Sequence, residues 1–276
     1  MTSAQPLQRG VGELLRQWRE QRRLSQLELA LQAEISTRHL SFVETGRAAP
    51  SREMVLRLAD QLDIPLRERN LLLLAAGFAP GYAESAFDSP CLTAVRAAIK
   101  QVLTGHEPYP AVVVDRHWNL IDANASVSLF TEQIAQELLS PPVNVLRLSL
   151  HPAGMAPHIV NLGEWRAHLL LRLRRQIALN ADPEVEALYA ELRSYPCEQP
   201  DPPVALHGSS DVVVPLRIRQ ASRELAFFGI VASFGTPIDI TVEELAIESF
   251  YPADAETAAA LHERARVAQA GLRARI

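Results

Sequence analysis

The chain has 276 residues, 48% of them apolar and 6% aromatic, which is enough to bury a sizeable core in each of two domains. Its formal net charge of −5 excludes a protein that coats nucleic acid with its whole surface. Residues 1–80 hold 11 Lys and Arg and 9 Asp and Glu, a net charge of +2, whereas the remaining residues hold 16 and 23, a net charge of −7. Because the acidic part would be repelled by DNA, any DNA contact should be confined to one small face of the N-terminal part.

Cysteine usage and hydropathy bear on cellular location. Cys91 and Cys197 lie far apart without a Cys-x-x-Cys motif, and no secretory signal opens the chain. No run of 18 apolar residues is present, so we expect no membrane contact. Together these features predict a protein of the reducing cytoplasm.

The first elements predicted are three helices. Residues 11–23 carry apolar side chains at helical spacing and form helix one. Ser25 and Ser36 are suited to cap helices two and three. The residues predicted to face inward on these two helices are Leu27, Ala30, Leu31, Leu40 and Val43. Only three residues separate the two patterns, which predicts a sharp turn and hence a helix-turn-helix.

The third helix exposes polar side chains near its amino end. They are Thr37, Arg38, His39 and Ser41. All four are hydrogen-bond donors or acceptors of a length that reaches base edges in DNA. The alternative is a solvated polar face on an ordinary small helical bundle.

Two further helices complete the N-terminal domain. Gly46 provides the left-handed turn that ends helix three, and Ser51 caps helix four over residues 52–62. Helix five covers residues 66–76 and ends at Gly77. We therefore predict an all-α domain of five helices over residues 9–77.

Several motifs of this region belong together. They are Leu24-Ser25-Gln26, Ala30, Ile35-Ser36, and Val43-Glu44-Thr45-Gly46-Arg47 followed by Pro50-Ser51. In this combination the region resembles the lambda-repressor-like (Cro/C1-type, or XRE) helix-turn-helix family over about residues 9–77. The resemblance implies a transcriptional regulator that binds double-stranded DNA sequence-specifically, usually as a homodimer.

The same resemblance implies roles for individual residues. Gln26 braces against phosphate and base, and Arg47 contacts a phosphate. It gives contacts with bases to Thr37, Arg38, His39 and Ser41 of helix three, and it also counts Ser36 among the DNA-binding residues. It also pairs Arg19 with Glu44, a structural ion pair whose half-buried charges would each be costly alone.

Residues 78–90 mix Pro and Gly with turn formers and are predicted to be a linker. A helix follows at 93–103, then two adjacent strands at 109–115 and 118–123, and a helix from Asn124 to Phe130. Later elements are a strand or short helix at 144–150, helices at 161–179 and 184–192, a proline-rich loop at 196–203, hairpin strands at 212–219 and 225–234 joined by residues 220–224, a helix at 242–250 and a terminal helix at 255–270. This order predicts an α+β sensor-type domain over residues 91–270, with an antiparallel sheet and flanking helices.

A second group of motifs carries another resemblance. The motifs are Pro110-Ala111-Val112-Val113-Val114-Asp115-Arg116-His117-Trp118-Asn119-Leu120 with Asn124, then Asn144-Val145-Leu146-Arg147, His151-Pro152, Trp165 and Glu191-Leu192. They resemble the ligand-binding domain of MmyB-like transcription regulators, which is similar to a PAS domain. The chain departs from the longer family members in lacking an extended loop before the late hairpin.

No motif for catalysis or metal binding is present. The sequence has no Gly-x-Ser-x-Gly elbow, Walker loop, Gly-x-Gly-x-x-Gly or His-Glu-x-x-His. His151 and His158 lack a third ligand nearby. We therefore expect neither an enzyme nor a metal site, and no required cofactor.

Ligand binding is the function favoured for the second domain. PAS-like domains place a cavity between the sheet and the flanking helices, and the apolar candidates for its lining are Val113, Trp118, Leu120, Leu146, Trp165, Leu169, Phe228 and Ile230. The polar candidates are Asn124, Arg147, His151, Asn161, His168 and Arg172. Either Arg147 or Arg172 could hold a carboxylate, which favours a fatty-acid-like effector. The alternatives are a flavin or haem in the same cavity, or a protein-interaction and dimerisation module without ligand.

Overall fold

The computed structural model describes residues 9–132, 134–180, 182–200, 214–220 and 223–273. The chain divides into two compact units: one runs to Ser89 and also holds Gly235–Glu243, and the other comprises Pro90–Phe234 and Glu244–Ile276. Three parts of the sequence predictions lie outside the described residues, namely the end of the proline-rich loop at 201–203, the strand start at 212–213 and residues 221–222 of the hairpin turn.

Within residues 9–89, five α-helices follow one another as predicted. They are α1 (Val11–Gln21), α2 (Gln26–Gln32), α3 (Thr37–Glu44), α4 (Arg52–Gln61) and α5 (Leu66–Ala75). The hydroxyl groups of Ser25, Ser36 and Ser51 each accept a hydrogen bond from a backbone N–H of the first turn of α2, α3 and α4. The three predicted caps therefore set the starts of these helices.

Of the three residues predicted to face inward on α2, Ala30 is buried, but the prediction was wrong for Leu27 and Leu31. Leu27 and Leu31 are 57% and 70% exposed, whereas Leu29, Ala30 and Ala33 are buried in the core of the unit. Both sets of residues recur at helical spacing, so periodicity alone does not distinguish them. The turn after α2 decides the face, because it brings Ala33 against the other helices.

The segment predicted as a linker is packed on α5 instead. The Oδ1 atom of Asn70 accepts hydrogen bonds from the backbone N–H groups of Gly81 and Tyr82, at 2.8 and 3.1 Å, and its Nδ2 donates to the Tyr82 carbonyl at 2.8 Å. A single side chain thus replaces the backbone pairing that this loop lacks. The first unit accordingly extends to Ser89.

The rest of the chain supplies the remaining elements. The helices are α6 (Thr93–Gly105), α7 (Ser128–Thr131), α8 (Val145–Leu150), α9 (Leu162–Asn180), α10 (Pro183–Ser194), α11 (Ile240–Glu243) and α12 (Ala255–Arg273). The strands are β1 (Ala111–Val114), β2 (Leu120–Ala123), β3 (Leu216–Gln220), β4 (Arg223–Ala232) and β5 (Ala246–Pro252). The α+β class predicted for this part is confirmed, and residues 144–150 resolve to the helical alternative, α8.

Among the described residues, the five strands form one antiparallel sheet in the order β2-β1-β5-β4-β3. The helix predicted at 242–250 was wrong, because α11 ends at Glu243 and residues 246–252 form β5, the central strand. As a central strand it is covered on both faces, with Ile247, Glu248 and Phe250 all buried. Burial on both faces hides the alternation by which a strand is recognised in sequence.

One face of the sheet packs against helices to form the core of the second unit. From the sheet it includes Val112, Leu216, Phe227 and Phe250, and from the helices Leu146, Trp165, Leu169, Leu188 and Leu192. Phe130 stands edge-on to Phe227 and Phe250, with ring centroids 5.5 and 5.1 Å apart. This face of the sheet and the helices against it carry the candidate site of the unit.

Candidate nucleic-acid interface and ligand cavity

Helix α3 presents the side chains that sequence analysis assigned to DNA. Leu40 and Val43 are buried as predicted, which leaves Thr37, Arg38, His39 and Ser41 at least partly exposed. Arg38 is exposed and its guanidinium lies 5.3 Å from the centre of the Phe42 ring. Stacking of this kind restricts a long side chain without using its five N–H donors, so these stay available to an acceptor.

Ser36 lies at the same end of the helix but has a local partner. Its hydroxyl oxygen accepts the backbone N–H of His39 at 3.2 Å, which is the cap of α3. Ser36 therefore holds the start of the helix in place. Its predicted DNA contact can use only the hydroxyl hydrogen or the remaining lone pair.

The predicted pair of Arg19 and Glu44 is present and links α1 to α3. Arg19 Nε and Nη2 donate to Glu44 Oε1 and Oε2 at 2.6 and 3.0 Å, and its Nη1 donates to the Leu24 carbonyl at 2.8 Å. The Glu44 side chain is 1% exposed. The hydrogen bonds with Glu44 raise the pKa of Arg19, so its guanidinium stays charged.

Gln26 belongs to the same network. Its Nε2 donates to Glu44 Oε2 at 2.7 Å, at the first residue of α2. The amide is thereby oriented, and its carbonyl oxygen and second N–H remain for the predicted contact with phosphate and base. Glu44 thus fixes two groups, one structural and one assigned to DNA.

Arg47 follows the left-handed turn at Gly46, whose φ is +71°. It is exposed, and its side chain makes no hydrogen bond to any residue from 9 to 132 or to the other described ranges. A cation without a protein partner on this turn is suited to an electrostatic contact with a phosphate.

We expect substitutions of Arg38 and Arg47 to have different effects on DNA binding. Arg38→Ala should relax preference at one base position, at a cost of about 1–3 kcal/mol for the preferred sequence, whereas Arg47→Ala should weaken binding to all sequences and reduce the salt slope by about one. Titration of matched and mismatched duplexes at several salt concentrations measures both effects. Arg174→Ala, an exposed arginine of the second unit, is the control, and equal losses from Arg38 and Arg47 would contradict this division of roles.

A mostly apolar cavity of about 70 Å³ lies in the core of the second unit. Its walls include Val112, Leu146, Trp165, Leu169, Glu248 and Phe250. Leu146, Trp165 and Leu169 are among the residues predicted to line it. On the strands the predicted residues are one position out of register, because Val112 rather than Val113 lines the cavity and Phe227 rather than Phe228 faces the core.

The predicted polar residues Asn124 and Asn161 do not line the cavity. Asn124 Oδ1 accepts the Ala111 N–H at 3.1 Å, and its Nδ2 donates to two backbone carbonyls. Asn161 Nδ2 donates to Glu164 and to the Pro215 carbonyl, both at 2.8 Å, and its Oδ1 accepts a backbone N–H of β3. Both side chains hold the fold, since their hydrogen-bonding capacity is used by the backbone.

Arg147 and His151 also lie away from the cavity. Arg147 Nε and Nη2 donate to the two carboxylate oxygens of Glu191, each at 2.8 Å. This bond lowers the pKa of Glu191, while burial and the hydrogen bond to Glu191 raise the pKa of Tyr195 to about 12. His151 stands edge-on to the Tyr195 ring, and its Nδ1 accepts the Ala153 N–H at 3.0 Å. Arg147 therefore already has a carboxylate partner and is not free for a ligand.

Arg172 lies nearer to the cavity but is paired as well. Its Nη1 donates to Glu248 Oε1 at 2.9 Å, and its guanidinium lies 4.2 Å from the centre of the Trp118 ring. Trp118 is buried and donates through Nε1 to Gln176 at 3.0 Å. His168 stacks on Trp165, and burial followed by the charge of Arg172 lowers its pKa, so His168 is neutral near pH 7.

Phe228 and Ile230 face away from the core. Phe228 stacks on Tyr251, with ring centroids 5.5 Å apart, and Ile230 is 49% exposed. Their prediction as lining residues was wrong, because the alternation of β4 turns Leu225 and Phe227 inward instead.

Glu248 was missed from the sequence. Its segment was predicted to be helical, so no side chain of it was expected on the sheet. The signal that could have found it is a charge in an otherwise apolar strand pattern, Ala246-x-Glu248-x-Phe250, before Tyr251-Pro252.

A larger open groove of about 1070 Å³ runs beside α12. Two ion pairs lie along its wall, Arg264 with Glu132 and Arg223 with Glu263 at 3.2 Å, and Glu107 and Arg266 also line it. These charged side chains interrupt its apolar lining. The buried cavity is therefore the better candidate for an apolar ligand.

Two absences hold for the part of the chain that the structure describes. None of its helices has the length and hydropathy needed to cross a bilayer. No group of three or more His, Cys, Asp or Glu side chains in these ranges is arranged to hold a metal ion.

Comparison with known protein families gives two matches. Residues 95–263 match the family described as MmyB-like transcription regulator ligand binding domain, and residues 15–69 match the helix-turn-helix family. The first match covers more than half of the chain and includes all the residues that line the cavity; the second includes Gln26, Arg38 and Arg47. Both resemblances found in the sequence are thereby confirmed. A comparison with curated proteins finds no match.

Proposed function

The chain belongs to the family of MmyB-like transcription regulators, which carry a ligand-binding domain, and on this premise we propose that a small ligand in the cavity controls its binding to DNA. The proposed ligand is apolar or amphiphilic, of the fatty-acid type, and the proposed target is a specific operator read by a homodimer. The proposal needs no other cofactor and gives the protein no catalytic role. It places the protein in the cytoplasm, where it would reach DNA.

The observation that supports this proposal is the apolar cavity between the sheet and helices α8 and α9. Its volume of about 70 Å³ is smaller than the roughly 300–1,000 Å³ of pockets for drug-sized ligands. An aliphatic chain would therefore have to displace part of the wall. Phe130 and Thr131 of the short helix α7, with Val127 and Ile134 on either side of it, form one part of this wall.

The mechanism follows from linkage between two binding events. A helix-turn-helix dimer reads two half-sites about one helical turn apart, so its affinity depends on how its two DNA-binding units are spaced. A ligand that prefers one dimer arrangement changes operator affinity only by its differential affinity for the two arrangements. If the ligand displaces part of the cavity wall when it binds, its affinity would differ between the two dimer arrangements.

A protein-interaction module without ligand is the second candidate. It is favoured by the exposed apolar residues at the end of β4, where Ile230 and Val231 are 49% and 46% exposed. A partner covering them would need no cavity. A flavin or haem would need a far larger space than the cavity offers, and would give the purified protein visible absorption.

Denaturing extraction of purified full-length protein, followed by mass spectrometry, tests the proposal. We expect a stoichiometric amphiphile with an aliphatic chain in the extract, and a rise in melting temperature when that molecule is added back. Val145→Phe, which puts a ring into the cavity, should abolish this rise. An empty extract, together with no stabilisation by any aliphatic probe, would favour the protein-interaction module.

A further inference from the structure

The central strand of the sheet carries a carboxylate on the face that packs against the core. Glu248 lies between Ala246 and Phe250 on this face, opposite Val112 of β1 and Val231 of β4. Its side chain is 9% exposed and forms part of the cavity wall. Burying a charge among apolar side chains is costly. A cost of this kind at the centre of a sheet points to a role other than packing.

The two oxygens of this carboxylate have different surroundings. Oε1 accepts the hydrogen bond from Arg172 Nη1 at 2.9 Å. Oε2 accepts no hydrogen bond from the residues that the structure describes. Arg172 is not part of the cavity wall, because its guanidinium is stacked on Trp118. The wall therefore includes a carboxylate, and the guanidinium paired with it is not part of the wall.

The other polar groups of the wall carry no charge. Ser149 accepts the indole N–H of Trp165 at 2.9 Å, and the Thr131 hydroxyl donates to the Ser128 carbonyl at 3.5 Å. Neither brings a positive charge into the cavity. A carboxylate ligand would set a second negative charge beside Glu248 in a medium of low dielectric, where like charges repel strongly. A head that donates a hydrogen bond would instead satisfy Oε2.

From this geometry we propose that Glu248 selects the head group of the ligand. The ligand is then an apolar molecule whose head donates a hydrogen bond, such as an alcohol or a primary amine, and Arg172 positions the carboxylate that receives it. This inference rests on the proposed function and changes one part of it, since a fatty-acid carboxylate is disfavoured while an aliphatic chain is retained.

Three probes with the same six-carbon chain test the inference on the full-length protein. They are hexan-1-ol, hexylamine and hexanoate, at about pH 8, where the amine is protonated and the acid ionised. Calorimetry and thermal shift should show hexanol and hexylamine binding about 10- to 100-fold more tightly than hexanoate, the range expected for one hydrogen bond to a buried charged group.

Two matched variants locate the effect. Glu248→Gln keeps the shape but removes the negative charge, and should bring the affinity for hexanoate to within a few-fold of that for hexanol. Glu191→Gln alters an arginine-paired carboxylate outside the cavity and should leave the discrimination unchanged. The inference would be overturned, with the proposed function left standing, if hexanoate bound more tightly than both other probes. The same would follow if Glu248→Gln kept the full preference for hexanol over hexanoate. Binding of none of the three, with no chain-bearing molecule in the extract, would overturn the proposed function with it.

Discussion

Glu44→Ala is expected to unfold the helix-turn-helix unit at room temperature or just above it. The substitution leaves the buried guanidinium of Arg19 with only the exposed Glu20 carboxylate, 3.7 Å away, as a counter-charge, and it removes the acceptor of Gln26 Nε2. Breaking a buried ion pair by deleting one partner costs about 3–5 kcal/mol, which is a large part of the stability of a small domain. Hydrogen exchange of the full chain, measured on peptides from residues 10–75 and from residues 95–130, reports the two units separately. Only the peptides from residues 10–75 should lose their protection against exchange.

Glu20→Ala is the matched control for this prediction. Glu20 pairs with Arg16 on the same helix at 2.7 Å and lies 3.7 Å from Arg19 Nη2, but the side chains of Glu20 and Arg16 are both more than half exposed. An exposed pair contributes only about 0–1 kcal/mol, so protection of the unit should hardly change. The double substitution Arg19→Met with Glu44→Leu should recover most of the stability, because it removes both charges. Unchanged protection in Glu44→Ala would show that the pair is not structural.

Gly12→Ala is expected to have the second large effect, by forcing α1 away from α3. A β-carbon at this position would lie 2.1 Å from the Val43 carbonyl oxygen and 2.9 Å from that of Glu44. Both atoms are backbone, so no side-chain rotation can relieve the overlap. We expect a loss of about 3 kcal/mol or more in the free energy of unfolding, measured by urea denaturation of the full chain.

Gly10→Ala provides the comparison two residues earlier. A β-carbon there has no heavy atom within 4 Å. Its cost should be limited to the change in capping, about 1 kcal/mol or less. Because α3 carries the residues assigned to bases, Gly12→Ala should also weaken DNA binding under conditions where the unit remains folded. Equal stability of the two variants would contradict the close approach of α1 and α3.

The first unit was largely predictable because its signals are local. Each cap lies within three residues of the N–H it receives, and the turn at Gly46 is set by a single backbone conformation. The face of α2 was not predictable in the same way. Leu27 and Leu29 are both leucines at helical spacing from Ala30 or Ala33, and only tertiary packing decides which is buried.

In the second unit, the element that the sequence did not predict is the central strand, β5. Strands β1 to β4 have β-branched or alternating patterns, but β5 follows directly on a helical turn that ends at Glu243. Its pairing partners lie far away in sequence, with Ala111 opposite Ser249 and Phe227 opposite Pro252. The partners of such a strand cannot be identified from a local window of sequence.

The site residues depended on the same non-local contacts. Arg147 and Arg172 were predicted as holders of a carboxylate, and each does bind one, but it comes from Glu191 and Glu248 of the protein itself. These partners are 44 and 76 residues distant. Spacing along the chain could not have revealed that both cations are already neutralised.

The central claim is that ligand binding and DNA binding are linked, and one measurement tests it most directly. A duplex chosen by in vitro selection with the full-length protein is titrated by fluorescence anisotropy, with and without a saturating amount of the molecule recovered from the extract. A coupling free energy of the usual size predicts a change in Kd of about 5- to 150-fold. An unchanged Kd, in samples whose melting temperature shows that the cavity is filled, would contradict the claim.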